Sequence, residues 1–197
     1  MRAVREADHG SARRVFAHGA EITSVLDNHL HTEDELLWPP LRARAPLAHD
    51  LINRMENQHR QLADLLDRAA VLFSTWAATP QPTTTEELAA VLTELHAVLT
   101  SHLDDEEAHV LPLVPDHLTA AEWAELGKRG TTALPKRRRL VFLGHVLEDA
   151  TPAEQEAFLA AFPRSASLAY RLYGRPAYRK ETTALRTSLA SGTRPDA

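Results

Sequence analysis

Apolar residues in the first half of the chain recur in steps of three and four, the spacing of amphipathic helices. Residues 12–37 carry Val15, His18, Ile22, Val25, His29 and Leu36 on one such stripe. Trp38-Pro39-Pro40 closes it, because proline cannot continue a helix interior. The Asp8-His9-Gly10 stretch ahead of it reads as a turn. A second helix is predicted over residues 47–77, with Leu51, Met55, His59, Leu62 and Leu66 on one face. A linker rich in threonine and proline follows over residues 79–85. Thr84 or Thr85 is the expected cap of a third helix, which runs to Val110 and stops at Pro112. Its stripe is Leu88, Leu92, Leu95, Leu99, His102 and Glu106.

Beyond Pro115 the segments shorten. Thr119-Ala-Ala-Glu122 and Thr151-Pro-Ala-Glu154 both have the spacing of capping boxes, in which threonine and glutamate satisfy each other's helix-start donors. Further helices are expected near residues 135–149, 164–173 and 176–190. No segment alternates as a strand. The fold class is therefore all-α: a bundle over residues 1–118, then a helical extension over residues 119–197.

Composition narrows the chemistry. The chain of 197 residues is 44% hydrophobic and 25% charged, an ordinary globular balance. It contains no cysteine, which excludes disulfides, thiolate metal sites and cysteine nucleophiles. Residues 1–118 hold 9 Lys and Arg against 19 Asp and Glu, whereas residues 119–197 hold 13 against 8. An acidic front half argues against nucleic acid as a partner and suits cations. The basic run Lys136-Arg137-Arg138-Arg139 reads as a solvated helix start. The longest apolar run, Leu140 to Leu147, is too short to cross a membrane. Residues 1–10 have no apolar stretch for a secretory signal. Cytoplasmic location, without membrane attachment, is the expectation.

Eleven histidines stand out, nine of them between His18 and His117. His29-Leu-His-Thr-Glu33 and its trailing Pro39 align without gaps to His102-Leu-Asp-Asp-Glu106 and Pro112. Residues four apart on a helix are separated by about 40° of rotation and about 6 Å of rise, so each His/Glu pair can reach one point. His29, His102 and Glu106 fall on apolar stripes. A buried glutamate without a partner costs several kcal/mol, and a cation removes that objection. His59, midway along the second stripe, completes a set of three imidazoles and two carboxylates. Such sets in a bundle core suit paired iron or manganese.

On these residues, together with Met55-Glu-Asn-Gln-His59 between the two motifs, residues 12–113 resemble the haemerythrin-like (HHE cation-binding) family. The resemblance implies an up-down four-helix bundle holding non-haem iron, as a di-iron or mono-iron centre. Its expected ligands are dioxygen, nitric oxide or oxidants. It further implies His29 and His102 as terminal ligands, Glu33 and Glu106 as bridging carboxylates, and His59 as the ligand from the helix between. Manganese is the alternative metal. The family's further helix, which supplies another histidine, has no counterpart in the 28 residues before His29, so the bundle is expected to be truncated at its N-terminus. His18 lies on the same helix as His29, about 16 Å away by helical rise, and cannot replace that ligand. A remnant at Val4–Ala7, a start upstream of Met1, the 119–197 extension filling the gap, or a homodimer closing the bundle are the corresponding expectations.

Plain structural roles suit the other candidates. His18, His96 and His145 read as core or boundary histidines. His31 reads as exposed or adjacent to the site, and so does His109, which lies three residues past Glu106 and could reach it. His49 and His117 sit near helix ends. Asp34, Glu35, Asp104, Asp105 and Glu107 read as solvated faces. Two competing functions follow. A ferritin-like di-metal oxidase or ferroxidase would use Glu56-x-x-His59 and Glu106-x-x-His109; a metal-free helical interaction module would use neither. A metal- and gas-binding protein is favoured over an enzyme, and the chain has no nucleophile elbow or phosphate loop.

Overall fold

The three-and-four spacing becomes helix nearly throughout a computed structural model that describes residues 2–79, 81–160 and 162–192. Among these there is no strand. Three long helices dominate: α1 (Arg2–Leu36), α3 (His49–Ala78) and α4 (Pro82–Asp105), with short α2 (Trp38–Arg44) between the first two. A π-helical turn, Glu106–Val110, and a 3-10 turn, Leu111–Leu113, lead into α5 (Val114–His117) and α6 (Ala120–Gly130). Then come α7 (Lys136–Val146), α8 (Pro152–Ala160), α9 (Arg164–Ala169), a second π turn Tyr170–Gly174, and α10 (Arg175–Gly192). No helix among the described residues is long and apolar enough to cross a membrane.

The first helix is longer than its stripe predicts. Its backbone runs through Asp8-His9-Gly10, where the sequence suggests a turn, and no described glycine has positive φ. A glycine inside a helix costs only about 1 kcal/mol, too little to break a long one. Trp38-Pro39-Pro40 does end α1. Both prolines then occupy the first turn of α2, where the missing N–H has no helical partner to lose. The third long helix opens at Pro82 with Gln81 as its uncapped N-terminal residue, not at a threonine cap. Thr85 instead donates to the Gln81 carbonyl at 2.9 Å and accepts from the Trp76 indole at 2.9 Å.

The described residues fall into two compact units that divide at Val15/Phe16 and at Ala133/Leu134. In the unit spanning residues 16–133, α3 buries Ile52, Met55, His59, Leu62, Leu65, Leu66, Ala69 and Phe73. It packs along α4, which buries Leu88, Val91, Leu95 and His102. Leu37, Trp38, Leu41, Ile52, Met55 and Val110 form a buried apolar cluster. Helix α1 approaches α3 closely at Gly19, where an added Cβ would lie 2.5 Å from the Phe73 ring.

The sequence boundary at 118/119 is not where packing divides. Leu118 and Leu126 lie on the Leu37–Met55 cluster, and α6 starts at the expected Thr119/Glu122 capping box. Arg44 grips the Glu122 carboxylate with both guanidinium nitrogens, at 2.8 and 2.7 Å, and reaches the His117 carbonyl at 2.7 Å. These ties join α5 and α6 to the bundle.

In the other unit, Leu147, Leu159 and Tyr170 form the buried cluster, flanked by Leu140 and Leu143. The predicted Thr151/Glu154 box caps α8. Arg138 holds Glu181 through two 2.7 Å bonds, joining α7 to α10.

Two outcomes test this packing. Gly19→Ala gains about 1 kcal/mol of helix propensity but overpacks against Phe73 at a cost of about 1–3 kcal/mol, so a net fall in stability is expected on chemical denaturation. The Arg44 guanidinium, then Thr119, holds the Glu122 carboxyl down at about 2. Because the folded value is depressed, the contribution of Glu122 is present above its unfolded pKa and fades as pH falls toward about 2. Arg44→Ala should raise the Glu122 titration midpoint, followed by carboxyl-carbon NMR, toward the ordinary carboxylate range.

Candidate metal centre

Each long helix delivers a side chain to one point. His29 and Glu33 lie four apart on α1, with His29 Nδ1 3.3 Å from Glu33 Oε1. His59 sits in the α3 stripe between Met55 and Leu62, and His102 lies in the last turn of α4. Glu106 opens the π turn, its N–H shared between the His102 and Leu103 carbonyls. The Leu111 N–H then bonds the Glu106 carbonyl, five residues back. This wide turn, unannounced by the sequence, returns Val110 to the core and leaves His109 exposed.

Four of the five candidate residues converge tightly, and His59 reaches them beside Glu33. His59 Nε2 lies 3.3 Å and His102 Nε2 3.9 Å from Glu33 Oε2. Ligand-capable atoms of His29, Glu33, His102 and Glu106 all fall within 4.8 Å of one another. The His102 ring centroid is 4.8 Å from that of His59 and 6.3 Å from that of His29. Glu33, His59 and His102 are 2%, 3% and 0% exposed, whereas the His29 side chain is 34% exposed.

What faces the centre is unsatisfied. Glu33 Oε2 and the Nε2 atoms of His29, His59 and His102 are buried and lack a hydrogen-bond partner. Leaving one such group unpaired costs about 1–3 kcal/mol, and more when it is charged. Orphaned polar atoms are rare singly, and Glu33 Oε2 with the His59 and His102 Nε2 atoms beside it calls for a shared partner.

Electrostatics point the same way. Burial, then the neighbouring His59 imidazole, pushes His102 down to about 4. Burial and then the Glu33 carboxylate push Glu106 up to about 7. Burial also disfavours the His59 cation, but the Glu33 and Asp34 carboxylates beside it outweigh that and hold its pKa above the ordinary value. In the metal-free site these groups compete for protons. A divalent cation would let the imidazoles stay neutral and both carboxylates ionise, and an imidazole–carboxylate donor set suits iron or manganese.

Several surrounding roles differ from the sequence reading. Asp34 is not simply solvated: its Oδ1 accepts from His59 Nδ1 at 2.7 Å and from Trp38 Nε1 at 3.0 Å. Asp105 accepts from Gln58 at 2.9 Å and Arg54 at 3.1 Å, while the Gln58 oxygen faces His102 Nδ1 at 3.3 Å. The adjacency of Asp34 to Glu33, and of Gln58 to His59, was the only sequence signal for these partners. Glu35 pairs with Arg129 and lies on the outside, and Asp104 and Glu107 are exposed. His31 is exposed and hydrogen-bonds the Asp27 carbonyl at 2.9 Å. His96 is exposed too, and His49 bonds the Arg42 carbonyl at the start of α3. Glu56 pairs with Arg42 at 2.9 Å. With Glu56 so engaged and His109 exposed, the two Glu-x-x-His pairs of a ferritin-like site do not assemble.

Comparison with known proteins agrees with this geometry. Residues 1–114 match the family model described as the Hemerythrin HHE cation binding domain. No curated protein and no solved structure matches the chain. The matched span covers more than half of the sequence and contains every residue of the His/Glu cluster, and the chain belongs to the haemerythrin HHE cation-binding family.

Proposed function

We propose that this protein binds non-haem iron through His29, Glu33, His59, His102 and Glu106, and through that iron a small gas or oxidant such as dioxygen or nitric oxide. The observation that carries the reading is Glu33 Oε2, buried and unpartnered, with two imidazole nitrogens at 3.3 and 3.9 Å. Glu33 and Glu106 would be the carboxylates that hold the iron and neutralise its charge. Manganese would suit the same donors. When bound, iron supplies redox chemistry and coordination positions for the exogenous ligand.

The protein's own residues divide the remaining work. Glu33 and Glu106 neutralise the cation inside the bundle. The Trp38 ring, 5.5 Å from His59, shields one side from water. Half-exposed His29 and Glu106 form the accessible side, so ligand exchange runs past them and away from fully buried His102. The arrangement supports binding and reporting of a ligand. A metal-free module gives no reason for four orphaned buried atoms, and the ferritin-like alternative loses its Glu56 and His109 ligands.

Anaerobic loading with ferrous iron, exposure to air and desalting should leave bound iron and near-ultraviolet charge-transfer absorption; absence of both contradicts the proposal. A cation at about 100 times its dissociation constant adds about 2.7 kcal/mol. The melting temperature should therefore rise by about 5–10 °C and fall back with chelator. Glu33→Gln and His102→Ala should lose bound iron and this chelator-sensitive rise, while His109→Ala keeps both. Equal iron retention in His102→Ala and wild type would remove His102 from the site.

A further inference from the structure

The three imidazoles differ in what stands behind them. Behind His59 Nδ1 is a carboxylate oxygen of Asp34 at 2.7 Å, and behind His102 Nδ1 is the Gln58 amide oxygen at 3.3 Å. His29 Nδ1 turns to Glu33 itself at 3.3 Å. The hydrogen bond on the far nitrogen decides which ring nitrogen keeps its lone pair, and a carboxylate there also makes the imidazole a stronger donor.

Asp34 is itself held. Trp38, four residues on, donates its indole N–H to the same Oδ1 at 3.0 Å. Trp38 is 2% exposed and fixed in the Leu37–Met55 cluster, and its ring lies against His59. The acidic pair Glu33-Asp34 thus divides its labour. Glu33 turns to the centre, and Asp34, about 100° further round the helix, reaches the back of the histidine on α3.

The geometry assigns Asp34 as a positioning residue for His59. It keeps the proton on Nδ1, fixes the ring plane with Trp38, and presents the Nε2 lone pair beside Glu33 Oε2. His59 becomes the best-anchored donor of the three and His29 the least restrained. This assignment rests on the metal-binding reading above.

Zinc(II), which is redox-silent, is the probe, and its affinity for the full chain is measured by chelator competition. Outer partners of this kind are worth about 10–100-fold in metal affinity, so Asp34→Ala should weaken zinc by that factor with an unchanged circular dichroism spectrum. Glu35→Ala removes the same charge one residue away without touching His59, and should stay within about twofold of wild type. Asp34→Asn keeps an acceptor that the Trp38 N–H orients, and should recover most of the loss. In zinc-loaded wild type, the His59 nitrogen shifts should report a protonated Nδ1. Asp34→Ala binding as tightly as wild type overturns the assignment, as does an equal loss in Glu35→Ala or no recovery in Asp34→Asn. Wild type that takes up neither zinc nor iron overturns the metal reading itself, a result distinct from all of these.

Discussion

A buried carboxylate whose inner oxygen lacks a hydrogen-bond partner is the constraint around which residues 16–133 are organised. Glu33 is 2% exposed, and its inner oxygen is approached by imidazole nitrogens on two other helices. In an apolar interior such a charge is tolerated only with a counter-charge close by. Among the described residues, its ion-pair partners are histidines and not lysine or arginine. The imidazoles present lone pairs or compete for protons, as the opposed displacements of His102 and Glu106 record. A cation beside Glu33 would supply that counter-charge, and the imidazole and carboxylate groups around it are of the type that holds one.

Much of this was legible in the sequence. The H-x-x-x-E repeat, in register with Pro39 and Pro112, placed two His/Glu pairs on helix faces, and His59 occupied a stripe position suited to leucine. Helical periodicity of 3.6 is a local property, so the three long helices and both capping boxes could be read from spacing alone. What spacing does not encode is which side of a neighbouring helix a polar residue meets. Asp34 and Asp105 looked like solvent-facing acids because, on their own helices, they are. Only the packing of α1 against α3, and of α3 against α4, brings them to His59 and to Gln58. The π turn after Asp105 was hidden for a related reason: periodicity cannot see a one-residue widening that carries His109 outward.

Domain limits were less legible still. Residues after Pro115 differ in texture from the bundle and read as an extension, yet α5 and α6 are bound to it by Arg44 and by Leu118 and Leu126. Most of the described carboxylates of residues 1–118 are exposed, and Glu33 is the one that is fully buried.

The central claim is tested most directly by locating the metal. Crystals grown with ferrous iron and measured on both sides of the iron absorption edge should give an anomalous peak within coordination distance of Glu33 Oε2, His59 Nε2 and His102 Nε2. An ordered structure of the iron-treated protein with no such peak, or with iron only at surface carboxylates, would contradict the account.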